Sequence, residues 1–347
     1  MNRLSDGMEA VVIFGGTGFI GTHLSQHWLR QNLARQLFLV DLLPPRNEPY
    51  AAGLQAALQS GRVTFVCGDV RETSWRDQLP ASADLIFNLA AIHREPGHEE
   101  HEYFETNLKG ATNVCAWASD VQCRRMVFTS SISPYGPSEV VKDEDSPAAP
   151  ETPYGTSKLA AEKIHQEWQA ADPQRKLLLL RPGVVFGAGE GGNVTRLLRS
   201  LCKGYFVYVG NRSTRKAGGY VKELCHVAQF GLEYQDRTGE NFTLLNFSMN
   251  PTPRLENFVS AIQQVAGIKR NPFSIPRSIL VGASYPIDAL SRAVGIRQPI
   301  SPVRVRKLFR STSVDPKRLR ELGYQWKYTI DEAFQDWKRD RPEDFAK

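Results

Sequence analysis

The feature that most constrains this chain is a glycine-rich turn set between an apolar run and a helical stretch. Ala10–Phe14 is a short apolar run, Gly15-Gly16-Thr17-Gly18-Phe19-Ile20-Gly21 follows it directly, and Gly21–Gln31 reads as helix. Glycines at 15, 18 and 21 permit a tight turn and let the backbone approach a pyrophosphate. The helix start at Gly18, Phe19 and Ile20 offers free N–H groups and the positive end of the helix dipole. Three glycines alone make only a turn; the strand before and the helix after are what a dinucleotide site requires. The spacing is G-x-x-G-x-x-G.

The same alternation continues. Leu37–Val40, Val63–Val66, Leu85–Asn88, Arg125–Thr129 and Leu177–Leu180 are further short apolar runs, and Tyr103–Ser119 and Tyr154–Ala170 are helical material between them. Continuous apolar runs suit strands buried on both faces, as in a parallel sheet. The pattern predicts an α/β fold, a Rossmann-type doubly wound parallel sheet spanning residues 1–180. Past residue 181 the alternation weakens. Thr195–Leu201, Leu255–Ala266 and Ile330–Arg339 read as helices, and Phe206–Val209 and Phe242–Asn246 as short strands. We expect 181–347 to form a smaller, irregular C-terminal substrate lobe, with some return of the chain to the first domain.

Asp41 ends the second run, 20 residues beyond Gly21. An acid there accepts hydrogen bonds from both ribose hydroxyls and repels a 2′-phosphate, which favours NAD over NADP. Arg46 is near enough to receive such a phosphate, and an acid at a strand end also serves as a plain loop cap.

Tyr154 and Lys158 are four apart and share one helical face. A phenol with a pKa near ~10 is a poor base at neutral pH unless an adjacent ammonium stabilises its phenolate. Ser131 follows the run Val127–Thr129 into a loop at the carboxyl end of a strand, where ligands bind in such folds. A bare Tyr-x-x-x-Lys also arises in ordinary amphipathic helices, and a serine there also caps a turn.

Taken together and in order, these segments resemble the extended short-chain dehydrogenase/reductases, specifically the NAD-dependent sugar epimerase/dehydratase family. The matching pieces are Gly15–Gly21, Asp41, Gly68–Arg71, Asn88–Ala91, Asn107–Gly110, Ser130–Gly136, Tyr154–Lys158, Leu180–Gly187 and a C-terminal Leu319–Trp326. The resemblance implies that Tyr154 is the acid/base, that Lys158 binds the nicotinamide ribose and tunes it, and that Ser131 is the active-site hydroxyl. It implies further that Asp69 and Val70 hold the adenine, and that Leu89, Ala90 and Ala91 line the cofactor's path. Asn107 would stand behind the nicotinamide, with Pro182 and Val185 near the ring. The family's dehydratases carry an Asp-Glu pair where this chain has Ile132 and Ser133, and its sugar-acid decarboxylases carry Glu at the latter place. Their absence disfavours both reactions. A nucleotide-sugar epimerase, acting at C4 in surface polysaccharide sugar metabolism, is the favoured reading. A nucleotide-4-keto-sugar reductase, a 3β-hydroxysteroid-type dehydrogenase and a non-catalytic dinucleotide sensor are the alternatives.

For the substrate, Asn193 and Lys216 (with Arg215 beside it) stand where relatives contact a diphosphate, and some relatives act on lipid-linked sugars. His93 and Arg94 follow the fourth strand and read equally as site residues or as surface loop. Gly97–Glu102 places histidines at 98 and 101, which reads as a solvated helix start with acids in its first turn, not as a metal site.

Composition sets outer bounds. The chain has 347 residues and a net charge of +6, with basic residues spread along it. That suits an anionic small substrate as well as nucleic acid; lacking a basic tail, we expect no nucleic acid. Five cysteines without C-x-x-C spacing predict reduced thiols and no metal. The polar Met1–Glu9 and the lack of a long apolar run predict a cytoplasmic protein with no integral membrane segment. The helices Tyr103–Ser119 and Tyr154–Ala170 form the dimer bundle in many members of the family that this chain resembles, so we expect a homodimer; Ala111, Val114, Ala118, Ala160 and Ala161 allow close packing there, or equally within the chain's own core.

Overall fold

The computed structural model describes residues 7–94, 97–275 and 312–346; the start of the polar N-terminus, residues 1–6, lies outside them. The strands are β1 (Met8–Phe14), β2 (Ala34–Asp41), β3 (Val63–Cys67), β4 (Leu85–Asn88), β5 (Arg125–Thr129), β6 (Ser138–Lys142), β7 (Lys176–Pro182), β8 (Val184–Phe186), β9 (Tyr208–Val209), β10 (Gly218–Tyr220), β11 (Phe242–Phe247), β12 (Ser274–Ile275) and β13 (Thr312–Val314). Seven of them form one sheet in the order β3-β2-β1-β4-β5-β7-β11, and every pairing in it is parallel. The connection reverses direction between β1 and β4, which opens a crevice at their carboxyl ends.

The apolar runs are continuous because both faces of the sheet are buried. Val11, Ile13, Leu178 and Leu180 point into one core, and Val12, Phe14, Leu177 and Leu179 into the other, as the period of two in a strand demands. The first core is closed by α1 (Phe19–Arg30), α2 (Ala52–Gln59) and, further along the chain, α6 (Val221–Thr238). The second is closed by α3 (Glu100–Asp120) and α4 (Pro153–Ala170). Ala111, Val114, Ala118 and Ala161 are spent in this second core, so of the two roles open to them they serve the intrachain one; Ala160 stays half-buried.

Beyond residue 181 the chain does return to the sheet. The expected strand at Phe242–Asn246 is β11, the edge partner of β7. It is reached through α6 (Val221–Thr238), a helix that the sequence reading did not anticipate. The remaining elements, α5 (Asn193–Cys202), α7 (Leu255–Ala266) and α9 (Ile330–Asp340), pack with Phe186, Tyr220 and Trp337 into a third core. A short α8 (Lys317–Glu321) precedes α9. The strand expected at Phe206–Val209 is shorter, because the N–H groups of Tyr205 and Phe206 both donate to Ser200 O and continue the end of α5.

Two buried carboxylates fasten the C-terminal segment to α6. Glu223 accepts N–H groups from Lys327 (2.9 Å) and Tyr328 (2.9 Å) and the Tyr324 hydroxyl. Asp336 accepts Lys222 at 2.6 Å and the Tyr220 hydroxyl. The stretch Leu319–Trp326, singled out in the sequence, is thus the part that closes over the first core. None of the five cysteines is joined to another in a disulfide. Among the described residues no group of acids, histidines and cysteines could hold a metal ion, and no helix is long and apolar enough to cross a membrane.

Candidate active site

The turn after β1 is closed to side chains. Gly15 has φ +75°, and a Cβ there would stand 2.9 Å from Ala90 N, so the Leu89–Ala90 backbone lies directly against it. A Cβ on Gly21 would stand 2.3 Å from Gly15 O. Gly18 is the N-cap of α1 and supplies no side-chain cap, which leaves the helix start at Phe19 and Ile20 open to an anion. Both side chains turn inward and pack against the third core. Asp41 ends β2, where its carboxylate accepts N–H groups from Thr17 (3.1 Å) and Leu42 (2.8 Å) and ties the strand end to the glycine turn. These features fit a dinucleotide: a glycine cradle that a side chain would fill, an uncapped helix end and an acid beyond.

Asp69 and Val70 follow β3 with different surroundings. The Asp69 carboxylate is gripped by Arg71 at 2.7 Å, and this hydrogen bond holds its pKa below the usual range. Val70 is buried beneath Gly110, where a Cβ would meet it at 2.8 Å. Leu89 packs into the first core, and Ala90 and Ala91 are half-buried. Asn107 on α3 is a fastener: its amide accepts Ile92 N at 2.9 Å and donates to Ile92 O and to Ser157 Oγ on α4.

At the head of α4, Thr152 accepts Gly155 N and Pro153 occupies the first turn, an ordinary helix start. A Cβ on Gly155 would stand 2.7 Å from Ser133 O, so glycine lets Tyr154 approach the loop after β5. In that loop Ser131 Oγ accepts Ser133 N and lies 3.1 Å from Ser133 Oγ, a side-chain turn in which both serines are half-buried. Ile132 N donates to Pro182 O, which joins the loop to the end of β7; Val185 follows on β8, half-buried. Ala217 packs with Tyr135 and Ile132, so its neighbour Lys216, itself half-buried, is brought to the same loop. Arg215 is exposed and donates to Thr252 O.

One turn beyond Tyr154, Lys158 is 1% exposed. Its ammonium donates to Thr129 O at 2.8 Å and lies 4.3 Å over the Phe128 ring. Burial pulls its pKa down to about 7, against a partial offset from Glu162. An ammonium has three N–H groups, and Thr129 O takes one of them.

The sequence reading missed the groups behind this pair. Glu162, 1% exposed, accepts Ser130 Oγ at 2.5 Å and binds Arg181 through both oxygens at 2.9 and 2.6 Å. Burial opposes the charge on Arg181, but the carboxylate outweighs it and holds its pKa above the ordinary value. Arg181 lies over the Tyr135 ring, and the Tyr135 hydroxyl donates to Asn246. A Glu four after the lysine and an Arg in the Leu180–Gly187 segment were the available signals. Tyr103 was also missed: its ring centroid is 6.1 Å from that of Tyr154, and its hydroxyl donates to Arg94 O at 2.5 Å.

Of the outer candidates, His93 is open to solvent along one side, yet enclosure of its ring lowers its pKa, with Arg94 and Lys158 pushing the same way. The Arg94 guanidinium reaches Gly191, 3.8 Å from where its Cβ would be, so it meets the loop that leads into α5. Asn193 opens α5, is exposed and accepts Arg196. His98 pairs with Glu102 at 3.5 Å in the capping box that starts α3, which is the solvated helix start expected.

The chain has counterparts among known proteins. The chain is 28% identical over 326 residues to an N-acetyl-α-D-glucosaminyl-diphospho-ditrans,octacis-undecaprenol 4-epimerase of Escherichia coli O157:H7, covering 94% of this chain and 93% of that protein. It is 25% identical over 353 residues to UDP-glucose 4-epimerase 3 of Oryza sativa subsp. japonica, covering 96% and 90%. The fold matches that of the UDP-Glc/GlcNAc 4-epimerase of Campylobacter jejuni with a TM-score of 0.73 at 19% identity, covering 95% and 99%. The model of one family matches residues 11–244, which include the glycine turn, the Ser131 loop, Tyr154 and Lys158: the chain belongs to the NAD dependent epimerase/dehydratase family.

Proposed function

We propose that this protein is an NAD-dependent 4-epimerase acting on a sugar carried by a diphosphate. The observation that carries the reading is the packing of Gly155 against Ser133 O, which sets Tyr154 and Lys158 beside a loop whose reactive groups are hydroxyls alone. The loop from Ser130 to Gly136 holds no acid, and water elimination needs one there.

In this reading Gly15, Gly18, Phe19 and Ile20 hold the pyrophosphate by backbone, and Asp41 holds the adenine ribose. Asp69, Val70, Leu89, Ala90 and Ala91 line the adenine side, and Asn107, Pro182 and Val185 support the nicotinamide side. NAD, when bound, supplies a hydride acceptor that can also return the hydride to the opposite face of the sugar. Tyr154 takes the proton from the C4 hydroxyl and later gives it back. Lys158, anchored on Thr129 O, stabilises the phenolate by its charge and holds the nicotinamide ribose with its remaining N–H groups. Ser131 donates to the reacting oxygen and fixes its direction toward Tyr154. His93, Arg94, Asn193 and Lys216 bind the sugar diphosphate. We further propose a homodimer that pairs α3 and α4 through half-buried Phe104, Leu108 and Leu159.

The carrier is either a nucleotide or a polyprenyl diphosphate, as in the rice and E. coli relatives. The test is the cofactor released on denaturation, followed by turnover of UDP-N-acetylglucosamine and of its polyprenyl-diphosphate counterpart. Bound NAD and interconversion of C4 epimers of either donor without added cofactor support the reading. Stoichiometric consumption of NADH or NADPH would replace it with a ketoreductase, and turnover of a steroid alcohol alone would replace it with a 3β-hydroxysteroid-type dehydrogenase.

A further inference from the structure

Away from the α4 site, two stretches of the C-terminal lobe are basic, with Glu256, whose N–H donates to Arg212 O, as the acid at their border. Residues 191–222 include seven Lys or Arg and no Asp or Glu, and residues 257–275 add Lys269 and Arg270, again with no acid. Some of these charges are already used: Lys222 binds Asp336 and Asp340, and Arg196 binds Asn193. Lys203, Arg212, Lys269 and Arg270 are exposed.

Two large apolar side chains emerge among them, Tyr205 at 66% exposure and Phe273 at 68%. They form one patch. The Arg270 guanidinium donates to Gly204 O at 2.7 Å, beside Tyr205, and also lies 5.9 Å over the Phe273 ring. Tyr208 N donates to Phe273 O at 2.7 Å, where β9 pairs with β12. Arg212 is fixed to the same edge through Ser274 Oγ.

Exposed aromatic rings among exposed Lys and Arg are the chemistry of a membrane interface. The rings settle at headgroup depth while the cations meet lipid phosphates. A protein-binding patch has a core depleted of Lys. A nucleic-acid platform needs a free ring face for base stacking, and here Arg270 already covers one face of Phe273.

We propose that this face docks the protein reversibly on an anionic lipid bilayer, with Tyr205 and Phe273 entering the headgroup layer and Lys203, Lys269, Arg270 and Arg212 on its phosphates. The length of α5, about 15 Å, separates Asn193 from the docked edge, so the substrate lobe is the part of the molecule turned to the membrane. Docking is read without turnover, so the epimerase reading and this one fail separately.

The test is flotation of the full-length protein with vesicles of phosphatidylcholine alone and of phosphatidylcholine mixed equally with phosphatidylglycerol. The expected result is binding to the mixed vesicles only, weakened by added salt. Tyr205→Ser/Phe273→Ser and Lys203→Glu/Lys269→Glu should each lower the partition about tenfold or more, with an unchanged circular dichroism spectrum and melting temperature. Wild-type protein that stays behind with mixed vesicles would overturn the proposal. So would a Tyr205→Ser/Phe273→Ser variant that floats as well as wild type, because adsorption would then be general to a basic protein. A single-stranded oligonucleotide that binds through these residues while vesicles do not would assign the face to nucleic acid.

Discussion

Lys158 and Glu162 stand one turn apart on α4, both 1% exposed, and each is committed to a different partner. The carboxylate is taken by Arg181 and Ser130, and the ammonium by the Thr129 carbonyl. The lysine therefore carries its charge at a cost to the fold, and the cost is visible as a pKa pulled down to about 7.

That cost predicts a trade between stability and function. A lysine whose folded pKa is lowered binds fewer protons folded than unfolded between about pH 7 and its ordinary value, so stability rises with pH across that window. Lys158→Met removes the buried charge. In urea denaturation of the cofactor-free protein, the variant should be more stable than wild type by on the order of 3–5 kcal/mol below pH 7. The gain should shrink to nothing toward pH 10.5, while turnover falls by roughly a thousandfold. A variant that is less stable than wild type at pH 6 would refute the account.

Glu162 should act on the reaction through Lys158 without touching substrate. Glu162→Gln leaves Arg181 buried without its partner, and a broken buried pair costs about 3–5 kcal/mol. Losing the negative charge also lowers the Lys158 pKa further, since Glu162 is what partly offsets burial. The pH optimum should then move toward acid. Glu162→Gln/Arg181→Met should recover much of the stability but keep the displaced optimum. Recovery of both together would mean that Glu162 is structural only.

Gly155→Ala tests the approach of the two halves of the site. The new Cβ, 2.7 Å from Ser133 O, must push the head of α4 away from the hydroxyl loop. Retained cofactor should be unaffected, because the glycine turn after β1 is remote in sequence and separately built. Turnover should fall about a hundredfold from misplacement of roughly an ångström. Loss of cofactor with unchanged turnover per loaded molecule would contradict this arrangement.

The proposed homodimer rests on α3 and α4. Phe104→Glu and Leu108→Glu place charges on the half-buried outer side while sparing Ala111 and Val114, which belong to the chain's own core. Sedimentation should show dimers for wild type and monomers for the double variant; a monomeric wild type at micromolar concentration would end the proposal.

What the sequence disclosed follows from where information is local. Runs such as Leu177–Leu180 announce their strand, because burial on both faces forbids polar residues. The glycine turn announces itself because no other residue fits 2.3 Å from a carbonyl. Tyr154 and Lys158 were legible as a spacing. The network behind them was not: Ser130 and Tyr135 in one loop, Glu162 on α4 and Arg181 on β7 come from three segments that only the fold brings together. The helix α6 was hidden for another reason. Glu223, Gln235 and Gly231 lie on its buried face and interrupt the apolar stripe, and their partners, such as Tyr324 for Glu223, are distant in sequence.

The buried histidines predict how the fold fails in acid. His165, on α4, is fully buried: its Nδ1 faces Ala161 O at 2.7 Å and so carries the proton, and its Nε2 accepts Asn88 Nδ2 at 3.1 Å. A second proton on Nε2 would point two donors at each other, and burial holds the pKa down to about 3. His23, on α1, donates from Nε2 to Ala188 O, and its buried Nδ1 has no hydrogen-bond partner among the described residues; its pKa is pulled down to about 4 by burial. Both groups bind protons more readily unfolded, so stability falls as pH drops below about 6.5 and keeps falling to about pH 4. Each contributes on the order of 3–5 kcal/mol, and the pair together rivals the whole stability of an ordinary domain. Cooperative unfolding should therefore set in between about pH 6 and pH 4, followed by circular dichroism at low salt. His23→Gln, which keeps a donor for Ala188 O and has no charged form, should move the midpoint to lower pH. A midpoint that stays where it was would remove His23 from the account and leave the acid limit to His165 and the carboxylates.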